Sequence, residues 1–424
     1  MTSRYEEIIP GYEEFIPSKK QLAFLDWEFG FFFHFGIRTF YEGHQDWDMQ
    51  PMPLENFFPT QLDCDNWIST AKQAGASYAI LVTKHHDGFA NWPSKYADYH
   101  VGNTPWKNGK GDVVKEFVES CRKYEMKIGL YYSPADFSQK EKQRTPKEYD
   151  DYFINQISEL LGNYGRIDYL WFDACGADEK SFDKDRIIKH IRSLQPSILL
   201  FNMWDPDTCW KGNEAGILPY PGYITNLATL HPPASEKPEY RWLPAECDCM
   251  IRNNAWFYTD SNEKYLQTLE QLMGIYYYSV GRGANLLVNI GPDRRGLLPD
   301  IDIARIIEFG EEVKRRFSTP LATLENFYKK DNALHCRLDK PTEINHLILS
   351  EDLSKGNLVR KYTIKCNLCG SLIPITLWQG EVIGHKAICY FPTIRAEELI
   401  VEVVLADPDY QIIKADVFCI DKQI

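Results

Sequence analysis

Ile167-Asp168-Tyr169-Leu170-Trp171-Phe172-Asp173 is an apolar, aromatic run that stops on a carboxylate, after which Ala174, Cys175 and Gly176 turn the chain away. An unpaired charge is costly to bury, so Asp173 belongs where a strand opens into a pocket rather than in a core. In a parallel barrel that place is the C-terminal rim of the strands, where the loops carry the chemistry. The same pattern recurs. Phe31-Phe32-Phe33 runs into His34, and Ala79-Ile80-Leu81-Val82 runs into Thr83-Lys84-His85-His86-Asp87. Ile128-Gly129-Leu130 runs into Tyr131-Tyr132-Ser133, and Ile198-Leu199-Leu200-Phe201 runs into Asn202. Several such strand ends meeting at one mouth would make an active site.

Helical stripes lie between these runs. Trp67, Ile68 and Ala71 share one face of Cys64–Ala74, and Val113, Val114, Phe117, Val118 and Cys121 share one face of Asp112–Tyr124. Lys147–Leu161, Lys184–Leu194 and Glu263–Ser279 continue the alternation up to the apolar strand Asn285–Ile290. Repeated βα units predict an α/β fold, a (β/α)8-type TIM barrel rather than an open doubly wound sheet. The Pro- and Gly-rich stretch Trp204–Trp242 reads as long loops, which in a barrel are functional ground. After a helix at Ala304–Phe317 the pattern changes to short β-rich runs: Ala333–Arg337, Glu343–Leu349, Val359–Cys366, Pro374–Trp378, Ile388–Phe391, Leu399–Leu405 and Ile412–Phe418. They predict a C-terminal antiparallel β-sandwich, dividing the chain into a catalytic barrel of residues 1–318 and a sandwich of residues 319–424.

Composition narrows the function. With 44% hydrophobic and 25% charged residues, the 424-residue chain is an ordinary globular protein. A net charge of -13 without a basic cluster argues against a nucleic-acid partner. No run reaches the ~18 apolar residues that span a bilayer, so no membrane partner is expected. The first twenty residues lack an apolar signal-peptide core. Eleven cysteines without secreted-framework spacing read as free thiols in a reducing compartment. The expected location is the cytoplasm; an exported form and the oligomeric state stay open. Cys366-Asn367-Leu368-Cys369 is a lone half-site that Cys247-Asp248-Cys249 is too tight to complete, so no structural zinc is expected. Aromatics at 14%, including 11 Trp and 25 Tyr, suit stacking on the C–H faces of sugars as well as filling a barrel.

Lys84-His85-His86-Asp87-Gly88 invites a metal reading, yet neighbouring side chains of a strand point to opposite faces and no His-Glu-x-x-His accompanies them. The histidines, with His34, read instead as hydrogen-bonding partners of a polar ligand. Imidazole, indole N–H and carboxylate together suit hydroxyl groups. A carboxylate beside aromatics at a barrel mouth suggests glycoside hydrolysis, in which two acids flank the scissile bond. Asp173 is the first. The second is Glu214, in Trp210-Lys211-Gly212-Asn213-Glu214-Ala215-Gly216, or Glu246, in Leu243-Pro244-Ala245-Glu246-Cys247, and spacing alone does not separate them.

Six segments in order, Phe31–Gly36, Asp46-Trp47, Lys84–Phe89, Gly129–Ser133, Leu170–Asp173 and Asn285–Pro292, resemble the α-L-fucosidases of glycoside hydrolase family 29. The likeness runs through most of residues 25–295. It implies a retaining exo-α-L-fucosidase that removes terminal α-L-fucose from oligosaccharides or glycoconjugates by double displacement through a covalent fucosyl-enzyme, without metal or organic cofactor. It places Asp173 as the nucleophile, with His34, His85, His86, Tyr132 and Trp171 around the fucose ring. The segment holding Glu214 resembles the acid/base segment of the subgroup acting on α-1,3/1,4-linked fucose. Ala245-Glu246 followed by Trp256-Phe257-Tyr258 also resembles that subgroup, which adds Glu246 and Trp256 to the expected substrate-binding residues. Asp46-Trp47 joins them, standing where the family usually has Glu-Trp. Cys209 precedes Trp210 where the subgroup usually has a basic residue. Phe32, Trp171 and Trp256 are candidates for a wall against the C6 methyl of fucose. Two other classes compete: a fucose-binding barrel with weak or lost turnover, and a metal-dependent hydrolase using His85, His86 and Asp173.

Overall fold

Parallel pairing carries the N-terminal three quarters of the chain into a ring. The computed structural model describes residues 15–173, 182–222, 225–227, 240–368, 370–371 and 373–421. Strand β1 (Phe29–Phe33) pairs with β2 (Tyr78–Lys84), then in turn come β3 (Lys127–Tyr132), β4 (Tyr169–Phe172) and β5 (Leu199–Phe201). The two-residue β6 (Cys209–Trp210) follows, and β7 (Thr225–Leu227) with β8 (Tyr240–Trp242) makes a separate antiparallel ribbon. Strand β9 (Ala245–Met250) lies between β6 and β10 (Asn285–Ile290), and β10 returns to β1. A parallel bridge from Phe201 to Thr208, with the Asn202 N–H donating to the Thr208 carbonyl at 3.1 Å, joins β5 to the approach of β6. The eight parallel strands thus close in chain order as a (β/α)8 barrel.

Helix α1 (Lys19–Leu25) sits at the start of β1, and α2 (Cys64–Gln73), α3 (Val113–Lys123), α4 (Pro146–Asn163), α5 (Lys184–Leu194), α6 (Leu269–Tyr278) and α7 (Asp300–Phe317) follow. Polar side chains satisfy the first amides: Asp63 for α2, Asp112 for α3, Asp183 for α5, and capping boxes Thr145/Glu148 for α4 and Thr268/Gln271 for α6. The stripes on α2 and α3 are buried as their periodicity predicts. Of the stretch Glu263–Ser279, only Leu269–Tyr278 is α-helix, because the Thr268 cap begins the regular turn late. Helices α2 and α7 meet so closely that a Cβ on Gly310 would sit 2.2 Å from the Ala74 carbonyl oxygen.

Strand alternation sorts side chains between two layers. Phe32, Tyr131, Tyr169 and Trp171 fill the barrel interior with Tyr78, Ile80 and Leu287. Their neighbours Phe31, Phe33, Leu130, Tyr132, Leu170 and Phe172 pack outward against the helices. Phe24 of α1 plugs the N-terminal end of the ring, its centroid 5.4 Å from that of Tyr169.

The C-terminal unit comprises β11 (Phe327–Lys330), β12 (Ala333–Glu351), β13 (Val359–Leu368), β14 (Ile375–Gly380), β15 (Ala387–Ala406) and β16 (Ile412–Phe418), all antiparallel. Two pairs of the expected short runs are each one long strand: Ala333–Arg337 and Glu343–Leu349 belong to β12, and Ile388–Phe391 and Leu399–Leu405 to β15. Register shifts between Arg337 and Thr342 and between Ile344 and His346 interrupt their pairing. The first half of β12 pairs with β11 and the second with β16, so each long strand serves both halves of the sheet, as bent strands at sandwich corners do. Leu347, Ile364, Leu399 and Val417 form its core, whereas Ile348, Ile388 and Phe418 face the barrel's helical layer. Across this seam the Tyr278 and Tyr390 hydroxyls lie 2.9 Å apart.

The described cysteines are free thiols. Cys369, residues 174–176 and the first fourteen residues lie outside the described residues. Among the described residues no helix is long and apolar enough to cross a membrane.

Candidate active site

A cavity of about 310 Å³ opens at the C-terminal ends of the strands. Asp173, the residue after β4, lines it, as alternation from Tyr169 and Trp171 requires. The Tyr131 hydroxyl donates to its Oδ2 at 2.8 Å, and His86 Nε2 lies 3.5 Å from the same oxygen. Trp171 forms an aromatic floor, stacked on Phe201 at 3.9 Å and on Tyr131 at 5.3 Å between centroids.

The histidines are set by a tight turn after β2. Gly88 has φ of 88°, and a Cβ there would meet Asp136 at 2.0 Å, so both the turn and its packing require glycine. Asp87 fixes the turn by accepting from the Phe89 N–H and from Arg38 Nε, each at 2.8 Å. Ser133 Oγ gives its proton to the Ala135 carbonyl, so His86 Nδ1 must donate to Ser133 Oγ at 2.6 Å. A neutral His86 then carries a bare Nε2. Asn289 works the same way. Its amide nitrogen donates to the Trp256 carbonyl, which turns its oxygen toward His34 Nδ1 at 2.7 Å and leaves His34 Nε2 as an acceptor. Burial pushes His34 down to about 3, holds His85 well below its usual range and lowers His86, the last against the pull of Asp173. His85 Nδ1 is buried without a hydrogen-bond partner. At neutral pH the cavity therefore presents uncharged imidazoles.

Carboxylates complete the wall. Asp46 is buried and accepts the Trp256 N–H at 2.5 Å, and burial raises its carboxyl. Trp47 beside it lines the mouth and is 58% exposed. Glu214 sits on the exposed rim with φ of 61°. Partial desolvation raises its carboxyl, and the charges of Asp173 and Asp46 raise it further.

Two expected substrate contacts fall elsewhere. Tyr132 lies outside the barrel wall, its hydroxyl donating to Gln156 Oε1 at 2.7 Å and its ring 5.1 Å from that of Phe153 on α4. A one-residue step along a strand reverses the face, so Tyr131 reaches the cavity instead. Glu246 is fully buried in the barrel interior and does not line the cavity. Tyr78 Oη and Trp171 Nε1 donate to it at 2.7 and 2.8 Å, and burial pushes its carboxyl up to about 8. It orients Trp171 from below. His34, His85, His86, Asp46, Trp47, Trp171, Trp256, Asp173 and Glu214 do come together around the cavity, with Phe32 among them.

Sequence reasoning missed Asp248, two residues beyond Glu246 on the same face of β9. Burial raises it to about 7, although the Trp210 indole donates to its Oδ1 at 2.7 Å. Strand alternation counted from Glu246 was the available signal. Cys209, the departure beside Trp210, packs with Leu218, Leu243 and Cys247 on the face away from the cavity. Among the described residues no three His, Cys, Asp or Glu side chains converge as metal ligands.

Comparison with known proteins agrees with this geometry. The α-L-fucosidase family model matches residues 10–316. α-L-Fucosidase 1 of Arabidopsis thaliana is 31% identical over 439 residues, covering 93% of this chain and 86% of the plant protein. A glycoside hydrolase 29 family member from an unknown rumen bacterium superposes with a TM-score of 0.86 at 30% identity, over 96% of this chain and 78% of that one. A mutant Ruminococcus gnavus GH29 fucosidase in complex with fucose shares the fold, with a TM-score of 0.84 at 24% identity over 95% of this chain and 94% of that one. With the family match spanning more than half its length, the chain belongs to the α-L-fucosidase family of glycoside hydrolases, family 29.

Proposed function

We propose that the chain is a retaining exo-α-L-fucosidase acting on terminal α-1,3/1,4-linked fucose, with Asp173 as nucleophile and Glu214 as acid/base. The observation that carries this reading is that both acids line one cavity and the charge of Asp173 helps raise Glu214. Asp173 attacks the anomeric carbon while Glu214 gives its proton to the leaving oxygen. The resulting ester is opened by a water whose proton returns to Glu214, so configuration is retained. The Tyr131 hydroxyl orients the attacking carboxylate. Bare Nε2 atoms on His34 and His86 accept from sugar hydroxyls, and His85 Nδ1 offers a further unused group. Phe32, with Trp171 at 5.3 Å and Trp256 at 6.2 Å between centroids, supplies apolar surface for the C6 methyl. The exposure of Trp47 and Glu214 at the mouth leaves room for a branched aglycone, which supports the linkage.

The test is hydrolysis of an aryl α-L-fucoside with the first product anomer followed by NMR, then a panel of linear α-1,2 and branched α-1,3/1,4 fucosylated oligosaccharides. The α anomer should form first, and the branched compounds should turn over faster. Asp173→Ala should lose turnover by about three orders of magnitude or more while staying folded, and azide should then yield a β-fucosyl azide. Initial release of the β anomer, or wild-type rates in Asp173→Ala, rejects the mechanism.

A further inference from the structure

A second cleft lies on the seam between barrel and C-terminal sheet and shares no residue with the substrate cavity. It encloses about 290 Å³, close to the volume of that cavity. Tyr220, Tyr278 and Arg282 line it from the barrel side, and Trp378, Gln379 and Tyr390 from the sheet. These rings are not a sealed core, since Tyr220 and Tyr390 are 47% and 38% exposed. The Trp378 and Tyr390 centroids are 5.6 Å apart and the planes tilted by 48°, which makes a bent aromatic wall. Arg282 lies over Tyr278 at 4.3 Å and over Tyr220 at 5.7 Å. One of its N–H groups donates to the Leu218 carbonyl at 2.6 Å, and among the described residues no carboxylate lies within ion-pair distance of it.

Flat rings beside a guanidinium, phenols and an amide are the chemistry that recognises a pyranose. Its C–H face stacks on an aromatic wall while its hydroxyls meet donors and acceptors at the edge. The net charge of -13 disfavours an anionic sugar in spite of the arginine. We propose that this seam is a second, non-catalytic saccharide-binding cleft that takes one neutral hexopyranose unit. The segment that carries Glu214 continues into its wall. The Leu218 N–H donates to the Tyr278 carbonyl at 2.8 Å, and the Tyr220 hydroxyl accepts the Glu381 N–H at 2.6 Å. A glycan held here is thus gripped by the stretch of chain that leads from the substrate mouth. The inference takes only its source of ligand, a glycan, from the proposed function.

The test titrates lactose, a neutral disaccharide, into the full chain in the presence of excess L-fucose, reading binding by ligand-observed NMR. Lactose should bind with fucose present, and Trp378→Ala and Tyr390→Ala should each weaken it by about tenfold, the effect of losing one stacked ring. Aryl fucoside kcat/KM in both variants should stay within about twofold of wild type. Thermal unfolding identifies a variant that fails to fold, and Gln379→Ala, an exposed position on the same wall, then replaces it with a smaller expected weakening. No lactose binding, competition by fucose, or undiminished binding in the folded variants overturns the proposal. Binding of sialyllactose without lactose overturns the neutral-sugar assignment. A wild-type chain that binds lactose at the seam but cleaves no fucoside would sink the proposed function and leave this cleft standing.

Discussion

Below the Trp171 ring the barrel interior is packed and closed, whereas above it the same strands open to solvent, and one glutamate marks each region. Glu246 below is fully buried, held by Tyr78 and Trp171, and pushed up to about 8 by loss of solvent. Glu214 above is on an exposed rim, and its rise comes from partial burial together with the charges of Asp173 and Asp46. Both keep a proton more readily than a free carboxylate. Only one lines the cavity. A perturbed carboxyl marks a strained environment, and access decides whether that environment does chemistry.

The sharpest way to break the contrast is to remove each acid. Glu214→Ala should lose about 10²- to 10⁴-fold in kcat on a natural fucosylated oligosaccharide, and much less on an aryl fucoside whose leaving group needs no proton. If Glu246→Ala shows that leaving-group pattern instead, the roles of the two regions are exchanged. Next in size is the contact to Asp173. Tyr131→Phe removes a hydrogen bond to a charged oxygen, worth roughly 1.5–3 kcal/mol, so kcat/KM should fall by about 10- to 100-fold. An unchanged kcat/KM would detach Tyr131 from the chemistry.

Glu246 has its own signature, in stability rather than rate. Its carboxyl ionises near 4.5 in the unfolded chain and at about 8 in the fold. Between those values the folded state holds a proton that the unfolded state has lost, so stability falls as pH rises through the window and levels off above it. Glu246→Gln cannot ionise. The Tm of this variant relative to wild type should therefore climb from pH 5 to pH 8 and then flatten, and a difference independent of pH would show that Glu246 is already ionised. The smallest expected effect on rate is at the outward tyrosine. Tyr132→Phe should cost about 2–4 kcal/mol of stability by chemical denaturation, for two buried hydrogen bonds, one donated to Gln156 and one accepted from the Lys84 ammonium, and leave kcat/KM within about twofold. A tenfold loss of kcat/KM would return Tyr132 to the substrate.

The strands that end in Asp173, His34 and His85-His86 were legible because an apolar run stopped by a polar residue has few other physical explanations. The α2 and α3 stripes were legible for the same kind of reason, a local period that one face of a helix must bury. Tyr132 was misassigned to the ring of ligands, since two adjacent tyrosines at a strand end differ only in parity and the register is settled by the neighbouring strands. Asp248 escaped notice because its one signal, alternation counted from Glu246, tells which face it shares but not how far along that face the cavity begins. The long β12 and β15 were read as broken runs, since bulged residues interrupt the apolar alternation exactly where pairing shifts.

Period, turn chemistry and composition were enough by themselves to determine a parallel barrel, a β-rich tail, and a set of histidines and an aspartate at the ends of its strands. These follow from interactions between residues a few positions apart. Which acid faces Asp173, which tyrosine touches it, and which carboxyl is sealed beneath the floor were decided only when eight strands closed into a ring. Closure sets the register between segments as far apart as Phe29 and Leu286, and through it the direction of every side chain and its exposure to solvent.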